Sequence, residues 1–121
     1  AIWNGRASTV IKDGTPAAVT YNQGVLGVDC LAVPKGSEHA ATAMKVIDRI
    51  LDPDIQANFP RYIDYGPVNP KAFEGDLIDA ALKDSVNSSP ANIARQVLLN
   101  DEWWGQNMGD AQAAWDKMMQ E

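Results

Sequence analysis

The clearest periodic signal in the chain lies between residues 40 and 51. Ala40, Met44, Ile47 and Leu51 recur at spacings of 4, 3 and 4, with Ala43 and Ile50 beside them. That is one apolar stripe on an amphipathic helix. Ser37 supplies an N-cap for a helix beginning near Glu38, and Asp52-Pro53 stops it. The same pair can open a second short helix, with Asp52 as cap and Pro53 at the first helical position, running to about Phe59. Ser89-Pro90 repeats the signal for a helix from Pro90 to about Asp101, with Ile93, Val97 and Leu98 inward. A last helix from about Asp110 to Gln120 presents Ala111, Ala114, Trp115 and Met118 on one side.

Between these helices the pattern shortens. Cys30-Leu31-Ala32-Val33 is a continuous apolar run closed by Pro34 and Gly36, which predicts a strand buried on both faces. Asp29 stands at its mouth, where burial is costly unless something pairs with the carboxylate. It is either a structural cap or a ligand contact. Ala1 to Arg6 reads as a strand end running into an Asn-Gly turn, and Ala17 to Tyr21 as a short strand. Ala7 to Asp13 fits either a strand or a short helix closed by Gly14. Tyr62 to Asn69 predicts a loop with an ordered path, Pro70 to Ala81 a short helix, and Asp84 to Ser89 a surface loop. The sum is a helix-rich α/β fold with a few short strands and no internal repeat.

Composition narrows the chemistry. With 121 residues and 45% apolar content there is material for one modest core. A net charge of −6 leaves no basic stripe to neutralise phosphates, so nucleic acid is excluded as a partner. One cysteine, Cys30, rules out an internal disulfide, and one histidine, His39, leaves no His cluster for zinc, so no metal or other cofactor is expected. No apolar run has the length of a membrane span, and no signal peptide is read. Opening on Ala1 inside apparently structured sequence, the chain reads as a processed product, a piece of a longer protein or a recombinant segment.

No nucleophile elbow, P-loop, dinucleotide fingerprint or zinc-protease helix occurs. Asp29 and Asp64 could in principle face one another as an acid–base pair, but nothing in their spacing demands it. The aromatics say more. Trp3, Tyr21, Tyr62, Tyr65, Trp103 and Trp104 all fall in or beside expected loops, whereas Trp115 falls on a helical stripe. Rings at loop tips around a carboxylate can box a cation, at about 0.5–2 kcal/mol per ring face. They can equally close a core.

Three blocks in order carry a resemblance: W-N-G-R at Trp3–Arg6, D-x-L-A-V-P-K-G at Asp29–Gly36, and Y-G-P-V-N at Tyr65–Asn69. A helix ending in L-D-P-D-I-Q-A, at Leu51–Ala57, lies between the last two, and E-W-W near Trp103 and a Trp115 helix follow. Together they resemble the C-terminal portion of an extracellular solute-binding protein of an ABC importer, closest to the spermidine/putrescine-binding group. The resemblance implies part of a two-lobed type II periplasmic-binding-protein fold that closes on its ligand by hinge motion. It implies that residues 1–28 form the end of the second lobe and the crossover, the chain crossing near Gln23–Asp29. Residues 29–121 are then mostly first-lobe return and C-terminal helices.

By the same resemblance Trp3 packs on the alkyl stem of a polyamine, Asp29 pairs with an ammonium group, and Tyr65 is a cleft tyrosine. Asn4 and Gln23 are secondary candidates, as is Trp104 or Gln106 near the C-terminus. The protein is then a non-enzymatic carrier, periplasmic or anchored outside the cell, which meets the importer's membrane subunits. One position departs from the pattern. Polyamine binders of this kind usually carry an aromatic residue two positions before the aspartate, and here that residue is Gly27. A wider site for a different cation or an amino-acid-like solute is the alternative. With both lobes incomplete, the chain alone is expected to self-associate or exchange strands. A small hydrolase or transferase domain and a protein-interaction module are the competing classes.

Overall fold

The computed structural model describes residues 2–120, so Ala1, the start of the first expected strand, lies outside the described residues. Helix α1 (Asn4–Lys12) replaces the strand-and-turn expected at the N-terminus and settles Ala7–Asp13 as helix. Gly14 closes it at φ +95°, a left-handed conformation that glycine adopts without steric cost. Its amide donates to the Ile11 carbonyl at 3.0 Å.

Helix α2 (Ala40–Ile50) carries the predicted stripe but starts later than Ser37 implied, with His39 at the N-cap and no side-chain capping bond. Ala40, Ala43, Ile47 and Ile50 are half-buried, while Met44 and Leu51 remain exposed. Helix α3 (Pro53–Gln56) opens with proline at its first turn as expected. Asp52 does not cap it with its side chain. Its carboxylate pairs instead with Arg49, which also reaches Asp54 at 2.9 Å. The Arg49 guanidinium holds the Asp54 carboxyl below the usual carboxylate range, and the two carboxylates push the guanidinium's own pKa up.

The core sits further along the chain than the long periodic helices suggested. Ala57, Ala72, Phe73, Ile78 and Val86 form it, with Leu82 packed alongside. Short elements wrap these residues: 3₁₀ turns at Phe59–Arg61 and Pro70–Phe73, and helix α4 (Ala80–Lys83). The single helix expected over Pro70–Ala81 is broken because Gly75 turns at φ +57°. Asp84–Ser89, expected as a surface loop, is an inward one: Val86 and Ser89 are 2% and 1% exposed. The buried Asn92 side chain holds it in place, donating to the carbonyls of Asp84 at 2.9 Å and Val86 at 2.8 Å.

Helix α5 (Pro90–Ile93) is capped by Ser89, whose hydroxyl accepts from the Asn92 amide at 3.3 Å. It ends well before Asp101, and Val97 and Leu98 leave it to form a strand. Strand β1 (Val25–Leu26) pairs in parallel with β2 (Val97–Leu98). Cys30–Val33 forms no strand, because no other strand among the described residues lies beside it to satisfy its backbone. Cys30 and Leu31 are accordingly exposed. Ala17–Tyr21 has no regular structure either. Helix α6 (Asp101–Met118) fuses the double tryptophan with the expected terminal helix. Its start is set by Asn100, whose side chain accepts from the Trp103 amide at 3.0 Å, and by Asp101 and Glu102 in the first turn. Trp103 and Trp104 are therefore helical rather than in a loop, their rings edge-to-face at 4.9 Å.

Candidate functional site

One face of α1 builds a site. Gly5, Thr9 and Lys12 recur at spacings of 4 and 3 and so align along one side of the helix. Opposite them runs the segment Tyr62–Tyr65. Trp3, Gly5, Arg6, Thr9, Lys12, Tyr62, Ile63, Asp64 and Tyr65 line an open surface cavity of about 270 Å³. Two of the residues picked out by sequence, Trp3 and Tyr65, thus face a single space although they lie 62 positions apart.

Three contacts hold the two segments together. The Asn4 side-chain amide donates to the Asp64 carbonyl. Lys12 Nζ donates to Asp64 Oδ2 at 2.7 Å. The Tyr65 ring lies directly against Gly5, where a methyl group would approach ring atoms to 2.7 Å. Tyr21 stands behind this clasp and donates to the Ser85 carbonyl at 2.9 Å. Burial pushes the Tyr21 hydroxyl pKa up, a hydrogen bond with Asn4 works against that, and the Asp64 charge adds to it. The group therefore stays protonated and neutral around pH 7.

The charge of the cavity differs from what its aromatics suggested. It holds two cationic side chains, Arg6 and Lys12, and one carboxylate, Asp64. Lys12 and Asp64 engage one another. Among the described residues Arg6 makes no ion pair, so its guanidinium is the uncompensated charge of the wall. Arg6 and Lys12 were missed as site residues because a lone cation on a helix face ordinarily faces water. Arg6 did have a signal, since it lies one helical turn after Trp3 in the W-N-G-R block.

The other expected residues lie elsewhere. Asp29 is exposed, carries no hydrogen bond among the described residues and does not line this cavity. The Asp29–Asp64 pairing that a hydrolytic reading needed is absent here. Gln23 serves through its backbone, at φ +59° with its amide donating to the Arg95 carbonyl at 2.8 Å. Trp104 lines a different, largely apolar groove with Leu99, Asp101, Gly105 and Met108. Among the described residues no group of three or more metal-ligating side chains comes together.

The fold is that of part of a periplasmic binding protein. An ABC transporter substrate-binding protein from Bradyrhizobium japonicum USDA 110 superposes with a TM-score of 0.78 at 40% identity, covering 97% of this chain and 37% of that one. The PBP AgtB from A. tumefaciens R10, solved in complex with agropinic acid, does so at 0.69 and 32% identity, over 97% of this chain and 36% of that one. The helix-rich α/β architecture with short strands, expected as part of such a fold, is therefore observed.

Residues 1–92 match the family described as bacterial extracellular solute-binding protein, and the chain belongs to that family. It is 28% identical over 104 residues to the gamma-aminobutyric acid-binding protein of Pseudomonas aeruginosa, covering 86% of this chain and 29% of that protein. It is 27% identical over 121 residues to the spermidine/putrescine-binding periplasmic protein of Salmonella typhimurium, covering 98% of this chain and 33% of that protein. The chain thus spans about a third of the length of the relatives it matches. No helix among the described residues is long and apolar enough to cross a membrane.

Proposed function

We propose that the full-length protein carrying this chain binds a small amine-bearing solute in a cleft between two lobes and delivers it to the membrane subunits of an ABC importer. It does so without chemistry of its own, in the periplasm or anchored outside the cell. The division at residue 28 between second-lobe and first-lobe segments belongs to this reading. So does a cleft wall formed by Trp3 and Tyr65. The observation that carries it is the meeting of these two aromatic rings at one cavity beside the guanidinium of Arg6, which makes no ion pair among the described residues. Such a wall offers apolar faces to methylene groups and a directional donor to an anionic end.

Within that class the wall favours a solute with a carboxylate at one end and an amine at the other. Arg6 suits the carboxylate, since guanidinium donates two parallel hydrogen bonds to it. The ring faces of Trp3 and Tyr65 are left to meet the ammonium group, since Asp29 does not line this cavity. The P. aeruginosa relative named for gamma-aminobutyric acid supports this choice, and Gly27 in place of an aromatic wall agrees with it. A polyamine is the second reading, favoured by the spermidine/putrescine-binding relatives.

Calorimetric titration of the full-length protein with γ-aminobutyrate, putrescine and spermidine separates the two. Arg6→Gln should weaken γ-aminobutyrate about 10- to 100-fold, the range of a charge-assisted hydrogen bond worth about 1.5–3 kcal/mol. It should leave any putrescine binding within about threefold, since a dication gains nothing from a guanidinium. Tight putrescine binding with no response to γ-aminobutyrate would select the polyamine reading. Failure of every amine tested would remove both.

The chain in isolation should also behave differently from the full-length protein. Val25, Val97 and Leu98 on the two strands are 65–68% exposed, and Met44 on the α2 stripe is 56% exposed. Faces of this kind are normally covered. We expect the 121-residue chain to self-associate or exchange strands. Sedimentation of a compact monomer across a concentration series would count against this.

A further inference from the structure

We propose that Gly5 is a positioning residue: the side chain it lacks is the seat of the Tyr65 ring, and so sets the aromatic wall of the cavity. The inference rests on the solute-binding reading above and deepens it. A Cβ at position 5 would lie 2.7 Å from Tyr65 Cζ and 2.8 Å from both its Cε2 and its hydroxyl oxygen. Real carbon atoms do not approach so closely, so any side chain here must displace the ring. Gly5 lies in the first turn of α1 and, unlike Gly14, is not at positive φ. Its backbone would accept alanine, which is the better helix former. Space for Tyr65, and not conformation, is what glycine supplies.

Two neighbouring contacts fix the rest of the geometry without fixing the ring. Asn4 grips the Asp64 carbonyl and Lys12 grips the Asp64 carboxylate, so the backbone just before Tyr65 is held against α1 from both ends of the helix. Atoms in conflict with a Cβ at position 5 are the far end of one side chain, which can swing about χ1. Gly66 makes the contrast plain. A Cβ there meets Ser88 Oγ at 2.1 Å and also the Ser88 backbone nitrogen at 3.0 Å, which has nowhere to go. Substitution at Gly66 therefore strains the fold, whereas substitution at Gly5 moves one ring.

The test uses the full-length protein with Gly5→Ala, Tyr65→Ala and the double variant, titrated with γ-aminobutyrate and, in parallel, putrescine. Gly5→Ala should lower affinity for whichever amine binds at least tenfold, with the thermal midpoint unchanged. In the Tyr65→Ala background the same change should add less than twofold, because the ring it acts through is gone. A merely structural glycine would give additive losses and a lowered midpoint, and that outcome overturns the proposal. If Tyr65→Ala itself leaves binding intact, the cleft reading fails separately from the positioning one. A crystal structure of Gly5→Ala decides the second without any ligand: a displaced Tyr65 ring supports it, and an unmoved ring refutes it.

Discussion

Replacing Gln56 with alanine should destabilise the protein by about 3–5 kcal/mol, a large part of the 5–15 kcal/mol that holds an ordinary domain together. The side chain is 3% exposed and every polar atom on it is used. Its Nε2 donates to the Ile50 carbonyl at 3.1 Å, at the C-terminus of α2. Its Oε1 accepts from the amides of Val68 at 2.7 Å and Asn69 at 3.3 Å. One glutamine therefore ties the end of α2 to the loop that follows Tyr65 and Gly66. Asn69 reinforces the same junction by donating to the Leu51 carbonyl at 2.8 Å.

Alanine at position 56 would leave these groups without their present partners, at about 1–3 kcal/mol for each one left buried and unsatisfied. The cavity left behind adds to the loss. Urea unfolding of the full-length protein measures it directly. Gln56→Glu separates the contributions, because it keeps an acceptor for the Val68 and Asn69 amides but loses the donor to Ile50. A shift below about 1 kcal/mol for Gln56→Ala would mean that solvent already satisfies the loop amides.

The importance of Gln56 was not legible in the sequence, where it sits unremarked inside L-D-P-D-I-Q-A. Helix α2 was legible because its stripe repeats over three turns, and local periodicity survives without tertiary information. Ser89 and Pro53 were legible for a related reason, since capping and first-turn proline are chemistry of adjacent residues. Cys30–Val33 misled because a run of apolar residues reports a preference for burial, not the presence of strands to pair with. Residues 84–89 misled in the opposite sense. Their polar look concealed Val86, and their burial depends on Asn92 closing two carbonyls from the next helix. The last helix, expected only from about Asp110, begins instead at Asp101 and runs through Gly105 and Gly109, each costing about 1 kcal/mol in a helix interior, a penalty that eighteen residues with a good cap absorb.

The site divides along the same line. Trp3 and Tyr65 could be named from their sequence blocks, but their meeting depends on contacts between residues 52 and 60 positions apart, Lys12 and Asn4 with Asp64. No pattern along the chain encodes such pairings. Arg6 belongs to the site because residues 62–65 supply the cavity's second wall and Asp64 occupies Lys12.

The larger functional effect is expected at Trp3. Its ring is 72% exposed, at the N-cap position of α1, where the backbone is extended (φ −63°, ψ +130°). So open a tryptophan contributes little to the fold, and Trp3→Ala should leave stability within about 0.5 kcal/mol of the parent. Its value lies in what it can cover. A ligand burying about 100 Å² of ring and alkyl surface gains about 2.5 kcal/mol at 25 cal/mol per Å², which corresponds to a loss of about 70-fold in affinity on truncation. Cation–π attraction to an ammonium group would add to that figure, bringing the expected loss to about 100-fold or more. Trp3→Phe, which keeps a ring face, should recover much of it. The measurement is titration of the full-length protein with γ-aminobutyrate and putrescine, paired with a thermal melt. A variant that melts normally and binds within threefold of the parent would remove Trp3 from the cleft, and with it the aromatic wall on which an aliphatic solute depends.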